Sequence, residues 1–320
     1  MAFLSASVGQ RPGARPLIAG FDSLRVLALV LVTWQHAASV LGHYETTQWR
    51  GISPGQSGVA IFCAIAGALA FHEPPGDVGQ WLKRRLLRLF PAYWIVTLVA
   101  FGLTFLASDK PATPWLFVSQ MLGLGYFTHG WALVNVVSWF LSLILLCYCL
   151  AAAAWASRRP VPILAATAII ATLLLLTRFE VALSRHVLAF ALAALAALGG
   201  FPGWMSILGG GLLLAGIALD PQFFYAGLAL VLIWLAGAGR LLDFPGAALP
   251  AAYSYEYFLV HGIALGAAVR LLGQTPLALM MAIPGAMVAA AVLHWLIQVL
   301  MTRSAGKPAI ATPPKQRISG

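Results

Sequence analysis

The sequence predicts an all-α, polytopic integral membrane helical bundle of about ten transmembrane helices. Of its 320 residues, 61% are hydrophobic and only 9% are charged, whereas soluble domains carry about 25% charged residues. The apolar residues fall in runs long enough to cross a bilayer, for which roughly 20 residues suffice. The first run also holds ionisable side chains, which are costly at membrane depth unless they are paired or face a wet cavity. We therefore expect a bundle with a polar interior.

Ten apolar runs are predicted to span the membrane. They are 17–42, 56–72, 90–107, 131–156, 161–177, 185–200, 203–219, 222–239, 248–272 and 276–301. The membrane domain is thus expected at 17–302, between a cytoplasmic N-terminal segment (1–16) and a disordered, basic, Pro-rich cytoplasmic tail (303–320). The N-terminal segment has no short apolar core followed by a cleavage site of small residues, so we predict no signal peptide.

The Gly-interrupted run 114–130 is predicted to stay on the outer side as a re-entrant or interfacial segment. With both termini in the cytoplasm, ten spans then place the Arg158–Arg159 pair and the basic tail inside, as the positive-inside rule requires. A full crossing by 114–130 would turn these charges outward. Few basic residues fall outside: Arg50, Lys110, Arg178 and Arg185, with Arg270 near the outer end of the ninth span. We expect a multi-pass protein of a bacterial-type cytoplasmic (inner) membrane.

Charge, cysteines and histidines indicate no other class of protein. The net charge of +10 is explained by Lys and Arg on the cytoplasmic side of the membrane, so no nucleic-acid partner is needed, and membrane lipids are the expected surroundings. Cys63, Cys147 and Cys149 lack zinc-type spacing and are interpreted as small apolar side chains. No two histidines show the H-x-x-x-H spacing, so no metal is expected.

The first span carries a polar stripe. Arg25 and His36 are 11 residues apart, so on a helix they lie within about 20° of each other and about 16 Å apart along the axis. Asp22 precedes Arg25 by three residues and can pair with it. An Arg reaching for the inner surface and a His hydrogen-bonded within the bundle are the structural alternatives. With Asp22 on the same face, a functional pair is favoured.

A basic segment precedes the third span. It can anchor the chain on anionic lipid or bind a phosphorylated ligand, because guanidinium groups bind phosphate bidentately. Arg88 follows Arg84 by four residues and Arg85 by three, so these side chains share one helix face. Lys83 adjoins them, and Pro91 permits a bend into the third span.

Two further segments offer polar side chains within spans. The run 253–261, at the start of the ninth span, is polar and aromatic, and Glu256 and His261 are unusual there. His261 would pair with a carboxylate or line a cavity, unless it is a satisfied buried histidine. Tyr255 lies in the same run, and Trp139 lies on a polar and aromatic face of the fourth span for which packing is the default interpretation.

The order of these motifs resembles the acyltransferase-3 family of multi-pass membrane acyltransferases. Four segments carry the resemblance: Phe21-Asp22-Ser23-Leu24-Arg25 followed by His36; Gly58-Val59-Ala60-Ile61-Phe62 with Ala66-Gly67; Arg84-Arg85-Leu86-Leu87-Arg88-Leu89-Phe90-Pro91-Ala92-Tyr93-Trp94; and Ser254-Tyr255-Glu256-Tyr257-Phe258-Leu259-Val260-His261. The resemblance covers most of the chain, roughly 20–301. Two positions depart from the family pattern: Ile144 stands where W-x-L-x-x-E has its acid, and Ala66 stands where a Ser is usual.

The resemblance implies transfer of an acyl group, usually acetyl, from cytoplasmic acyl-CoA to a hydroxyl of a cell-surface glycan, a lipid-linked glycan or a related carbohydrate. A hydroxyl acceptor needs a general base, and His is the usual one at neutral pH; whether His36 instead carries the acyl group is left open. Catalysis is expected from His36, Arg25, Asp22 and His261. Binding of CoA is expected from Lys83, Arg84, Arg85 and Arg88. Contact with the acceptor is expected from Trp139, Tyr255 and Glu256.

Two other functions stay open at this point. A transporter or flippase for a polar or lipid-linked solute would also line its path with Asp, Arg, Glu and His, although no inverted repeat and no matched pair of broken helices is visible. An inactive relative that only scaffolds a glycan-synthesis complex is the third reading, and Ile144 motivates it.

Overall fold

The protein is an α-helical bundle in the parts of the chain that its computed structural model describes, which are residues 14–107, 113–239 and 244–304. Among these residues no strand forms, and the β-type pairing is a single bridge between Trp49 and Ile52. The predicted all-α, polytopic bundle is therefore confirmed.

The described α-helices follow one another along the chain with short connections. They are α1 (Ala14–Val40), α2 (Pro54–Phe71), α3 (Val78–Ala107), α4 (Pro114–Met121), α5 (Gly125–His129), α6 (Trp139–Ala156), α7 (Pro160–Leu176), α8 (Val181–Leu198), α9 (Trp204–Ala218), α10 (Pro221–Gly237), α11 (Ala248–Ala252), α12 (Ser254–Leu272) and α13 (Pro276–Ser304). Two short 3-10 helices lie at Glu45–Thr47 and Val136–Ser138.

Seven of the described helices are long and apolar enough to cross a membrane: α1, α2, α3, α6, α8, α12 and α13. The shorter apolar helices α7, α9 and α10 coincide with the predicted fifth, seventh and eighth spans. A helix of 17 residues is about 26 Å long, a little below the roughly 30 Å of a bilayer core. The count of ten spans therefore stays a prediction. In place of the run 114–130 the chain has α4 and α5, of 8 and 5 residues, which are too short to cross.

Helix α2 lies at the centre of the bundle, against α1, α8 and α10. It is the most buried of the seven long apolar helices, with 72% of its residues inside. Two glycines permit this close packing: a Cβ at Gly58 would lie 2.5 Å from the carbonyl oxygen of Ala28, and one at Gly67 would lie 2.3 Å from that of Phe190. Small residues at such contacts are typical of helices packed in membranes.

Helix α3 is longer than the predicted third span, because it includes the basic segment and continues through Pro91. Side chains just after this proline tie the helix to the end of α4. The Tyr93 hydroxyl donates to the carbonyl of Gln120 at 2.6 Å, and the Trp94 indole donates to that of Met121 at 2.8 Å. The predicted terminal segments, 1–16 and 303–320, lie outside the described residues except where they join α1 and α13.

Candidate active site

Two histidines meet where α1 packs against α12. Nδ1 of His36 lies 2.6 Å from Nε2 of His261, and the two rings are nearly parallel, with an interplanar angle of 11°. His261 is fully buried, with 1% of its surface exposed, whereas His36 is half-buried. The structure therefore joins two predicted catalytic residues and leaves His36 as the more accessible one.

The backbone of α12 sets the direction of the hydrogen bond between these rings. Nδ1 of His261 lies 2.8 Å from the carbonyl oxygen of Phe258 and 3.2 Å from that of Tyr257. A carbonyl only accepts, so Nδ1 of His261 carries a proton and donates it. In a neutral ring Nε2 is then the acceptor, and His36 must donate from its own Nδ1. The other ring nitrogen of His36, Nε2, keeps a lone pair that can accept a proton.

Neighbouring side chains hold the histidine pair in place. The Tyr257 ring stacks on His261 at 5.6 Å between centroids, and the Thr33 hydroxyl donates to the Tyr257 hydroxyl at 3.1 Å. The amide of Asn135 donates to the backbone of α12 at the Leu259 carbonyl, at 3.2 Å. Thr33 and Tyr257 also line a groove of about 410 Å³ between α1, α12 and α13. The histidine pair is thus fixed by its neighbours, and two of these neighbours also border an apolar groove.

The other two predicted catalytic residues lie nearer the start of α1. Arg25 forms the predicted ion pair with Asp22, and both side chains are partly buried. Arg25 also interacts electrostatically with Arg88 and with Tyr148. The 11 residues between Arg25 and His36 correspond to about 16 Å of helix. The four predicted catalytic residues are therefore two pairs, separated along α1.

The basic residues of α3 divide into two groups. The Arg85 guanidinium lies 5.6 Å from the Trp81 ring centre and 5.8 Å from that of Tyr148. Arg88 lies within electrostatic reach of Arg25. Lys83, Arg84 and Arg88 are exposed, whereas Arg85 is partly buried. We call Arg25, Arg85 and Arg88 the arginine cluster, since they alone of these residues are drawn together from α1 and α3.

The three residues predicted to contact the acceptor do not come together. Tyr255 donates from its hydroxyl to the Leu89 carbonyl of α3 at 3.0 Å, and the carboxylate of Glu256 lies 2.9 Å from Nδ1 of His294. These two are near the arginine cluster. Trp139 begins α6, nine residues or about 14 Å before Tyr148. His261 thus pairs with another histidine, and Glu256 takes a histidine that the sequence analysis did not single out.

Comparison with protein families identifies the chain. A family model described as an acyltransferase domain (Acyl_transf_3) matches residues 18–299, nearly the whole chain. The chain belongs to the acyltransferase-3 family. Searches of curated proteins and of solved structures found no match. Family membership makes the protein a membrane acyltransferase in the general sense.

The position at which many acyltransferase-3 sequences carry an acid is part of the core. Ile144 is 3% exposed and packs within the main hydrophobic cluster of the described residues. Among the described residues, no three His, Cys, Asp or Glu side chains are grouped as a metal ion would need.

A second group of polar side chains lies near the Trp139 end of α6, and the sequence analysis missed it. His186 is completely buried, and its Nε2 lies 2.9 Å from Oε1 of Gln56. Arg185 donates to Oε1 of Gln222 at 2.9 Å, and its guanidinium lies 5.3 Å from the Tyr225 ring centre. The sequence signal is an Arg-His pair at the start of the predicted sixth span; the sequence analysis places Arg185 among the outer basic residues and assigns no role to His186.

Aromatic side chains border this group. The rings of Trp131 and Trp139 are 5.2 Å apart, Tyr126 lies 5.2 Å from Trp131, and Trp139 lies 5.6 Å from His186. Burial, and then the carboxylate of Glu180, raises the pKa of the Tyr126 phenol. The phenol therefore stays protonated and donates to Glu180 at 3.4 Å.

Proposed function

We propose that this acyltransferase-3 member transfers an acyl group, acetyl in the first instance, from cytoplasmic acyl-CoA to a hydroxyl of a cell-surface glycan or related carbohydrate. The observation that carries the proposal is the histidine pair. Its hydrogen bonds leave Nε2 of the half-buried His36 as a proton acceptor in the interior of a membrane bundle. Acyl transfer to a hydroxyl requires such a base.

The arginine cluster supports CoA as the donor. CoA carries several phosphates, and Arg85 and Arg88 present guanidinium groups at one end of the bundle. Charge-assisted hydrogen bonds from arginine to phosphate are among the stronger ones in proteins. The acyl-bearing arm of CoA would then follow α1 over the roughly 16 Å from Arg25 to His36. By the predicted topology the arginine cluster faces the cytoplasm, where acyl-CoA is made.

The proposed step is a direct transfer. The acceptor oxygen bonds to the thioester carbonyl carbon while its proton passes to Nε2 of His36, and the carbon–sulfur bond breaks to release CoA as a thiolate. The thiolate then takes the proton from His36, which restores the starting state. Nδ1 of His36 stays hydrogen-bonded to His261 throughout, so that the ring keeps its orientation.

The test uses purified full-length protein, labelled acetyl-CoA and a panel of glycans, with products read by mass spectrometry. We expect wild type to acetylate a member of the panel. We expect His36→Gln to lose about 10²- to 10⁴-fold in turnover, the usual worth of a general base, while acetyl-CoA binding is retained. His43→Gln is the matched control, because this histidine is exposed just beyond α1, and it should behave as wild type.

Two results would contradict the proposal. Near wild-type turnover of His36→Gln would remove the base assignment. If wild-type protein binds acetyl-CoA but forms no acylated product with any glycan, an inactive scaffold is favoured. If wild-type protein forms no product but moves a labelled glycan across the membrane of reconstituted vesicles, a transporter is favoured. Label recovered on His36 after rapid quenching without acceptor, and lost when acceptor is added, would show that the acyl group passes through the histidine and would contradict direct transfer.

A further inference from the structure

Polar atoms without partners are concentrated near the His36 end of α1. In the described parts of the chain, three buried side-chain nitrogens have no hydrogen-bond partner: Nε2 of Gln35, Nε of Arg185 and Nδ1 of His186. Gln35 is 3% exposed and His186 is 0% exposed. An unsatisfied buried polar group costs free energy, so each such atom in a native protein calls for an explanation. Three such atoms in one region of the bundle indicate that they share one explanation.

Hydrogen bonds show that these three residues surround the first turn of α2. The Ser53 hydroxyl, which begins that turn, donates to Oε1 of Gln35 at 2.9 Å. The Ser53 backbone N–H donates to the Tyr225 hydroxyl at 2.9 Å, and the Arg185 guanidinium lies over the Tyr225 ring. Three residues after Ser53, the side chain of Gln56 is hydrogen-bonded to His186. We call Gln35, Arg185 and His186 the open polar triad.

The hydrogen-bonding character of the triad matches a sugar. The free Gln35 amide nitrogen and Arg185 Nε are donors. With Nε2 of His186 donating to the Gln56 oxygen, Nδ1 of His186 is an acceptor. A polyhydroxylated ligand offers both acceptors and donors. The neighbouring rings of Trp131, Trp139 and Tyr126 add apolar faces, the usual complement to a few placed polar groups in a binding site.

The charge in the triad has no counter-ion among the residues that the structure describes. Ion pairs among the described residues involve Arg25, Arg178 and His294, and Arg185 takes part in none of them. The nearby Glu180 carboxylate is engaged elsewhere, with the Leu183 N–H at 3.0 Å and with Tyr126. Arg185 is the first residue of the predicted sixth span, so by the predicted topology its charge lies on the outer side, where a cell-surface carbohydrate would be.

We propose that the open polar triad and its aromatic border bind an anionic carbohydrate, one whose sugar carries a carboxylate or a phosphate that Arg185 pairs with. This inference rests on the proposed function, since it makes the triad the acceptor site of the same reaction. Gln35 directly precedes His36 in α1, so the triad lies at the level of the histidine along that helix, toward the end opposite the arginine cluster. Donor and acceptor then reach the base from two ends of one bundle.

The test measures binding without acyl-CoA, so that it does not depend on transfer. Methyl glucuronide, a glucose phosphate and methyl glucoside are titrated against purified full-length protein by ligand-observed NMR. We expect the two anionic probes to bind more tightly than methyl glucoside. Arg185→Gln should weaken their binding by about 10- to 150-fold, the worth of one charge-assisted contact, and leave methyl glucoside unchanged. Arg270→Gln, at an exposed arginine near the end of α12, is the matched control.

A second measurement needs no variant and so guards against a misfolded one. Phenylglyoxal modifies accessible arginines, and peptide mass spectrometry locates the product. Methyl glucuronide and the glucose phosphate should protect Arg185 but not Arg270, and methyl glucoside should protect neither.

The outcomes separate this inference from the proposed function. If no probe binds, if methyl glucoside binds as tightly as the anionic probes, or if Arg185 is neither needed nor protected, the inference is wrong even when acyl transfer is observed. Protection by only one anionic probe identifies the charge as carboxylate or phosphate. Arg185-dependent binding in a protein that never transfers an acyl group would keep the site and overturn the proposed function.

Discussion

Replacing His261 with phenylalanine is expected to lower turnover while leaving acyl-CoA binding intact. His261 accepts from Nδ1 of His36 at 2.6 Å and is itself fixed by the Phe258 carbonyl. Phenylalanine fills the space but accepts no hydrogen bond, so Nδ1–H of His36 loses its partner and the ring is free to turn. The effect is therefore one of positioning, and His36 stays chemically intact.

The magnitude follows from the lost bond. An unsatisfied buried donor costs about 1–3 kcal/mol, which corresponds to roughly 5- to 150-fold, less than the loss expected for His36→Gln. In His261→Gln the side-chain oxygen can still accept from His36, so this variant should keep most of the turnover. The assay compares kcat and acceptor KM for the three proteins, with acetyl-CoA binding measured separately.

A clear pair of results would refute this reasoning. If His261→Phe turns over like wild type, the hydrogen bond between the rings does not orient the base. If His261→Gln is as impaired as His261→Phe, His261 has a role beyond accepting from His36, and a proton relay through both rings becomes the better account. Nitrogen-15 histidine NMR provides an independent check, since wild type should show protonated Nδ1 and bare Nε2 on His36.

Three further predictions test the surroundings of the site. Arg85→Ala should weaken acyl-CoA binding by about 10- to 150-fold, and the loss should be larger at low salt. Arg84→Ala, at an exposed side chain, should weaken acyl-CoA binding less. Equal effects of the two substitutions would assign the segment to lipid anchoring. Gly67→Ala should lower the free energy of unfolding by about 1–3 kcal/mol through overpacking, because the new Cβ would collide with the Phe190 carbonyl oxygen. Gly102→Ala is the control, because a Cβ at that position would meet nothing within 4 Å. Equal melting temperatures of the two variants would contradict the packing argument. Reporter fusions should all report cytoplasm at three positions, Gly76, Arg159 and Gly306, and an outside signal at the second would show that 114–130 crosses the membrane.

Features set by local spacing could be predicted from the sequence. The apolar runs give the bundle, because burial in lipid requires continuous helices. The i,i+3 spacing of Asp22 and Arg25 predicts their pairing, which the structure shows. The stripe on α1 likewise follows from the helical repeat. These inferences need no knowledge of how helices are arranged.

Contacts between distant segments could not be predicted in the same way. His36 and His261 are 225 residues apart, and Glu256 and His294 are 38 apart, so no spacing rule connects them. The open polar triad was missed for the same reason, since Gln35, Arg185 and His186 meet only through the first turn of α2. Its one local signal, a charged residue at the start of an apolar run, is explained equally well by topology.

The histidine pair also bears on the departure at Ile144. In hydrolases with a Ser-His-Asp triad, a carboxylate holds the histidine in the tautomer that can act as a base. Here the Phe258 carbonyl does this for His261, and His261 passes the orientation on to His36. A backbone carbonyl cannot donate, so the tautomer is set by helix α12 rather than by an acidic side chain. Loss of an acid at Ile144 is therefore compatible with a working base at His36, and turnover by wild type, with His36→Gln inactive, would separate this account from an inert scaffold.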